Sequence, residues 1–247
     1  MTAETADLRA HLVASAIAGK VATTRGNNID NIRRTLAGDE NVTFGITLED
    51  DWSFARLLAV MATKVGINPH IRYDGIDTID PDRTIDRLSA MRDRLREAAA
   101  ARESVLLATG HPANLLPVHQ AIAAALRAAG CRILRQPSND TYTIGGVHAY
   151  RHGGNLLHTH SPHYMRLILA GLSEWPDLVV ADHGWAGAAA QAGIQTMGFA
   201  DCNDPGLFVG EEQGSMLVTV PLDDGVAPHL YEPLIAYLVA GITPAAD

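Results

Sequence analysis

The strongest constraint on this chain's fold is a change of rhythm at Glu103. From there, short apolar runs alternate with stretches of helical spacing. SVLLATG precedes LPVHQAIAAALRAAG, which Gly130 closes, and CRILR follows. HYMRLILAGL precedes DLVVAD, HGWAGAAAQAG precedes IQTMGFAD, and MLVTVPL precedes a tail around EPLIAYLVAG. Strands that are apolar throughout are buried on both faces, and their alternation with helices builds a largely parallel sheet covered on both sides. Gly145-Gly146 and Gly153-Gly154 punctuate a hairpin or extended pair over residues 145–160. The expected fold is α/β, a three-layer, mostly parallel, Rossmann-like sheet over 103–247.

Residues 1–102 read as mainly helical. One helix is expected over 4–18, ending near Gly19. A second carries Ile29, Ile32 and Leu36 and is capped by Asn27 or Asn28. A third buries Phe54, Leu57, Leu58, Met61 and Val65 before Gly66. A fourth follows Asp80-Pro81-Asp82 with Ile85, Leu88, Met91 and Leu95 on one face. This region is expected to cap the same core rather than to stand free.

The charge balance narrows the partners. Against 28 acidic residues there are 19 basic ones, a net charge of -9. Nucleic acid and anionic membranes both call for basic patches, so neither is expected. Cys131 and Cys202 are too few for a disulfide framework and fit a reducing compartment. There is no apolar run of membrane-spanning length and no signal-peptide pattern, so a cytoplasmic location is expected.

In open α/β sheets, ligands bind beyond the carboxyl ends of the strands. Four strand ends here deliver polar clusters: Thr109-Gly110-His111-Pro112, His158-Thr159-His160-Ser161-Pro162-His163, Asp182-His183-Gly184-Trp185 and Asp201-Cys202-Asn203-Asp204-Pro205. His158 and His160 are two apart on an extended segment and can face one ligand, as metal ligands or as strand-edge groups. Ser161 can cap the next helix, whose start offers N–H groups to an anion. Asp201, Asn203 and Asp204 supply hard oxygen ligands or, alternatively, a tight turn. Asp182 closes a strand, with His183 as base or ligand, and His111 is a candidate base. Thr109 and Gly110 form an anion-presenting turn. Arg25 and Asn28, near a helix start, are candidate phosphate contacts or a solvated cap. Cys202 is a poor candidate nucleophile, because flanking carboxylates raise a thiol pKa. No Walker loop, dinucleotide glycine motif or nucleophile elbow is present. His11, His70, His119 and His229 carry no pattern and read as structural or surface residues.

The segments TRGNNI, LLATGHPANLLPVH, GGNLLHTHSPHYM and PDLVVADHGWAGAA with GFADCNDP together resemble a group of bacterial proteins described as phosphatases. The plan of a helical region before an α/β core is also similar to the metal-dependent damage-control phosphatases, which hold one divalent cation on Asp and Asn ligands at strand ends. The His-rich segment departs from that pattern. These resemblances imply a metal-dependent phosphatase for a small phosphorylated metabolite, with Mg, Mn or Zn as cofactor. Asp201, Asn203, Asp204, His158 and His160 would hold the metal, Asp182, His183 and His111 would act in catalysis, and Arg25, Asn28, Thr109, Gly110 and Ser161 would bind substrate. Two other classes stay open: a lyase or isomerase working by His and Asp acid–base chemistry on a sugar or sugar acid, and a non-catalytic binding protein for a small polar molecule. The helical N-terminal face could also pair with a second copy.

Overall fold

The computed structural model describes residues 2–49, 51–136 and 138–245. In chain order the elements are α1 (Ala3–Ala14), β1 (Gly19–Thr24), α2 (Arg25–Leu36), α3 (Glu40–Thr43), α4 (Phe54–Lys64), β2 (Ile76–Ile79) and α5 (Pro81–Ala101). The second half follows with β3 (Ser104–Thr109), α6 (Pro112–Ala128), β4 (Arg132–Ile133), β5 (Thr141–Ile144), β6 (Val147–His152), β7 (Asn155–Leu156) and α7 (His163–Gly171). Then come β8 (Leu178–Asp182), α8 (His183–Gln191), β9 (Thr196–Ala200), α9 (Pro205–Glu212), β10 (Val218–Pro221) and α10 (Glu232–Val239).

The main sheet runs β10-β9-β8-β3-β6-β5. It is parallel from β10 to β6 and ends in antiparallel β5. Every residue of β3, β8, β9 and β10 is buried, as uniformly apolar strands between two helical layers require. Helices α5, α6 and α10 pack together on one side, and α7, α8 and α9 on the other. The three-layer α/β architecture is therefore the one expected.

Topology decides where a ligand can sit. From β3 the chain leaves through α6 towards β6 on one side. It then returns past β3 to β8 and leaves through α8 towards β9 and β10. The strand order reverses at β3, and the helices after β3 and β8 lie on opposite faces. A crevice opens between the carboxyl ends of those two strands. Leu107 pairs with Val180, so Thr109 lies level with Asp182, which in turn pairs with Phe199.

The N-terminal region is mainly helical, as expected, with two short strands added. β1 and β2 form an antiparallel pair, too short and irregular to show a clear alternation. The hairpin is bonded to the rim of the main sheet. Asp223 accepts from the Ala22 N–H at 3.3 Å, and the Thr23 hydroxyl donates to Asp201. One hydrophobic cluster runs from Leu8 and Ile29 through Val105 and Val180 to Leu238. Other boundaries shift for local reasons. Thr24, not Asn27 or Asn28, caps α2. α6 starts at Pro112, with Pro117 inside it, rather than at Leu116. CRILR contributes only the two residues of β4. α9 escapes a periodicity search because Pro205 to Gly210 are all buried, leaving no polar face. Among the described residues, no helix is long and apolar enough to cross a membrane.

Close packing at α8 yields a direct test. A Cβ on Gly187 would lie 2.2 Å from the Phe44 carbonyl oxygen. Gly187→Ala is expected to destabilise the fold by at least the roughly 1–3 kcal/mol of ordinary overpacking, read as a lower urea midpoint. An unchanged midpoint would contradict this approach of α8 to the chain after α3.

Candidate active site

The site begins with a sharp turn from β8 into α8. Asp182 is fully buried, and His183 follows at a φ of 48°, a left-handed conformation that is strained for a residue with a side chain. Gly184 is forced next, since a Cβ there would lie 2.2 Å from the His160 carbonyl oxygen. The turn aims the His183 ring over the rim. Its Nδ1–H donates to Asp182 Oδ1 at 2.8 Å, and the Gly110 N–H donates to the same oxygen at 2.7 Å. One carboxylate thus ties the end of β3 to the end of β8 and fixes the His183 tautomer, leaving Nε2 free.

That free nitrogen faces two further carboxylates. Asp204 Oδ2 is 3.6 Å away and Asp224 Oδ2 is 3.3 Å away. Asp224 also brings Oδ1 within 3.2 Å of His111 Nδ1. Asp224 Oδ2 and His111 Nδ1 are buried without a hydrogen-bond partner. Asp201 lies alongside, donating its N–H to Asp204 Oδ2 at 3.1 Å. Behind Asp182, His119 Nε2 approaches Asp182 Oδ2 at 3.6 Å, while its Nδ1–H donates to the Leu115 carbonyl at 3.0 Å.

The electrostatics split the carboxylates: imidazoles hold Asp182 and Asp224 down, while Asp204 and Asp201 are pushed up. Burial alone would raise the Asp182 pKa, but the bond from His183 and the charges of His183 and His119 bring it down to about 2. Burial opposes protonation of His183, yet Asp204, Asp182 and Asp224 together push its pKa up to about 10. Asp204 rises to about 7 through burial and the nearby Asp224, against the pull of His183. Asp201 also rises, through burial, Asp224 and Asp204. Like charges crowded out of water cannot all stay ionised without a cation. Among the described residues, no Lys or Arg pairs with them; their ionic partners are His111, His119 and His183.

Imidazoles line the open side. The His111 and His158 rings stack at 4.3 Å, His158 and His160 lie 4.7 Å apart, and His160 lies 4.5 Å from His183. The His158–His160 segment does not end a parallel strand. It returns antiparallel through β7 and crosses the end of β3, where the Thr159 N–H donates to the Gly110 carbonyl at 2.9 Å. Burial and the charge on His183 hold both His158 and His160 down at about 4, so both are neutral at pH 7.

The expected site residues divide cleanly. His111, His158, His183, Asp182, Asp201 and Asp204 come together. His160 joins them, but its Nδ1–H donates to the Asn41 carbonyl at 2.7 Å. Asn203 is not brought into the carboxylate cluster; its side-chain amide donates to Asn27 Oδ1. Arg25 is 1% exposed, paired to Asp77 at 2.5 Å and bonded to the Asn68 and His70 carbonyls, so its guanidinium is engaged away from the carboxylate cluster. Asn28 donates to the same Asp77. Thr109 accepts from the His111 N–H, the Gly110 N–H is taken by Asp182, and Ser161 accepts from the His163 N–H. Each of these expected phosphate contacts thus has an intramolecular partner. Asp224 was missed, although Leu222-Asp223-Asp224 ends a strand as the other clusters do. His119 offered no pattern at all.

Fold and site together define an α/β protein with a carboxylate–imidazole centre at the switch point of its sheet. Over residues 3–246 the chain matches the protein family described as Phosphatase. It is 50% identical over 252 aligned residues, 96% of each chain, to Phosphatase SCO2771 of Streptomyces coelicolor. The chain belongs to this phosphatase family, whose description is that of a hydrolase acting on phosphate.

Cys202 lies at the edge of this centre, buried, with its thiol pKa pushed up by burial and by Asp201. A thiol held in that form is a poor nucleophile. Cys202→Ala is expected to retain phosphatase activity; complete loss in a folded variant would point to a cysteinyl-phosphate mechanism instead.

Proposed function

We propose that the chain is a metal-dependent phosphatase hydrolysing a small phosphorylated metabolite, with one divalent cation held by His183, Asp204 and Asp224. The observation that carries this reading is Asp224 Oδ2, buried, without a hydrogen-bond partner, and 3.3 Å from the free nitrogen of His183. Possible ligand atoms of these three residues all lie within 4.8 Å of one another. The 3.3 and 3.6 Å separations suit donors around an ion with bonds of about 2.1 Å. A cation would also offset the charge that the cluster now meets by protonation.

A divalent ion bound there supplies Lewis acidity towards a phosphoryl oxygen and lowers the pKa of a bound water. The protein's own groups do the rest. Asp182 holds His183 with its proton on Nδ1. Asp201 steadies Asp204 through its N–H. His160 keeps its proton on Nδ1, bonded to Asn41, which leaves Nε2 to accept a proton at the open rim. His111, Asp182 and Asp204 occupy the N-caps of α6, α8 and α9 without making side-chain capping bonds. Those helix starts direct partial positive charge at the rim, where an anionic substrate arrives. The phosphate is met by cation and helix ends rather than by arginine.

Two outcomes test this. Chelation of the purified chain is expected to abolish phosphate release, with recovery on returning a divalent ion; full activity in chelator would overturn the reading. Asp224→Asn keeps the side-chain shape but removes a ligand charge. It is expected to lower kcat/KM by at least about a hundredfold, equivalent to roughly 2.7 kcal/mol, with an unchanged circular dichroism spectrum.

A further inference from the structure

The imidazole side of the centre bears on which cation it takes, an inference that rests on the metal-dependent reading above. Two groups of possible ligands occur: His111 with His158 and His183, and His183 with Asp204 and Asp224. They share His183, whose Nδ1 is committed to Asp182. Only Nε2 remains as a ligand atom of His183, so the two groups would meet at that nitrogen. Asp224 joins them a second time, with one oxygen 3.2 Å from His111 Nδ1 and the other 3.3 Å from His183 Nε2. His111 Nδ1 is itself buried and has no hydrogen-bond partner.

We infer that these five side chains form a single centre, three imidazoles and two carboxylates, which selects an imidazole-seeking transition ion of the Zn²⁺ type over Mg²⁺. Mg²⁺ keeps oxygen ligands and several waters in strict octahedral geometry. Imidazole suits Zn²⁺, Fe²⁺ and their neighbours. A pair of carboxylates alone would accept either class. His111 and His158 are the residues that decide between them, which gives a role to two histidines that the carboxylate group does not use.

The test uses the full chain, stripped by chelator and then equilibrated with Zn²⁺, Co²⁺ or Mg²⁺ alone and in competition. Metal content, thermal melting and the visible absorption of the Co²⁺ form are read without substrate. One Zn²⁺ or Co²⁺ per chain is expected, retained against about a thousandfold excess of Mg²⁺, with a raised melting temperature that Mg²⁺ does not reproduce. His111→Ala and His158→Ala are each expected to lower Zn²⁺ affinity by more than the roughly 10–100-fold that loss of a supporting partner costs, and to alter the Co²⁺ spectrum. His111→Gln and His158→Gln serve the same purpose if the alanine variants fail to fold. Mg²⁺ binding as tight as Zn²⁺, two ions per chain, or unchanged affinity in folded histidine variants would overturn this inference while leaving the metal-dependent phosphatase standing. No bound cation of either class would overturn both.

Discussion

The Asp182 carboxylate is the interaction on which the rest of the site depends. Its Oδ1 takes a proton from the Gly110 amide on β3 and another from the His183 ring after β8. The two strands flanking the reversal of the sheet are thereby held at one spacing, and the imidazole between them is fixed in tautomer and direction. The strained φ of His183 accompanies the hydrogen bond from its ring to Asp182.

From it follows the charge problem that gives the site its chemistry. Asp201, Asp204 and Asp224 are brought in by β9, its following loop and the end of β10, and His183 is the charge shared among them. The cluster gathers buried carboxylates whose ionic partners are histidines, and it leaves Asp224 Oδ2 without a hydrogen-bond partner, which is the observation behind the proposed cation. Membership of a phosphatase family is compatible with the proposed cation, which would bring a phosphate dianion to an acidic rim. The β1–β2 hairpin, bonded to Asp201 through Thr23 and to Asp223 through Ala22, makes the N-terminal region part of the same rim.

The core of this account was legible in the sequence because it obeys simple periodicity. The runs ending in Thr109, Asp182 and Asp201 are buried strands, and the rule that ligands sit at carboxyl ends brought His111, His183 and Asp204 together on paper. The same rule, carried one strand further, reaches Asp224. Other features had no local signature. Arg25 looked like a phosphate clamp because nothing nearby in sequence pairs with it; its partner Asp77 lies on β2, a strand too short to recognise. Asn203 shares a loop with Asp201 and Asp204, which join the cluster, but α2 draws its side chain away through Asn27. His119 is one more residue of an apolar helix until the structure sets its ring against Asp182.

Anomalous X-ray scattering from crystals of the chain grown with Zn²⁺ or Mn²⁺ tests the central claim most directly. The account predicts one strong peak within bonding distance of His183 Nε2 and the carboxylates of Asp204 and Asp224, with Asp182 still on His183 Nδ1. A peak elsewhere on the molecule, or a carboxylate cluster bridged only by water, would contradict it.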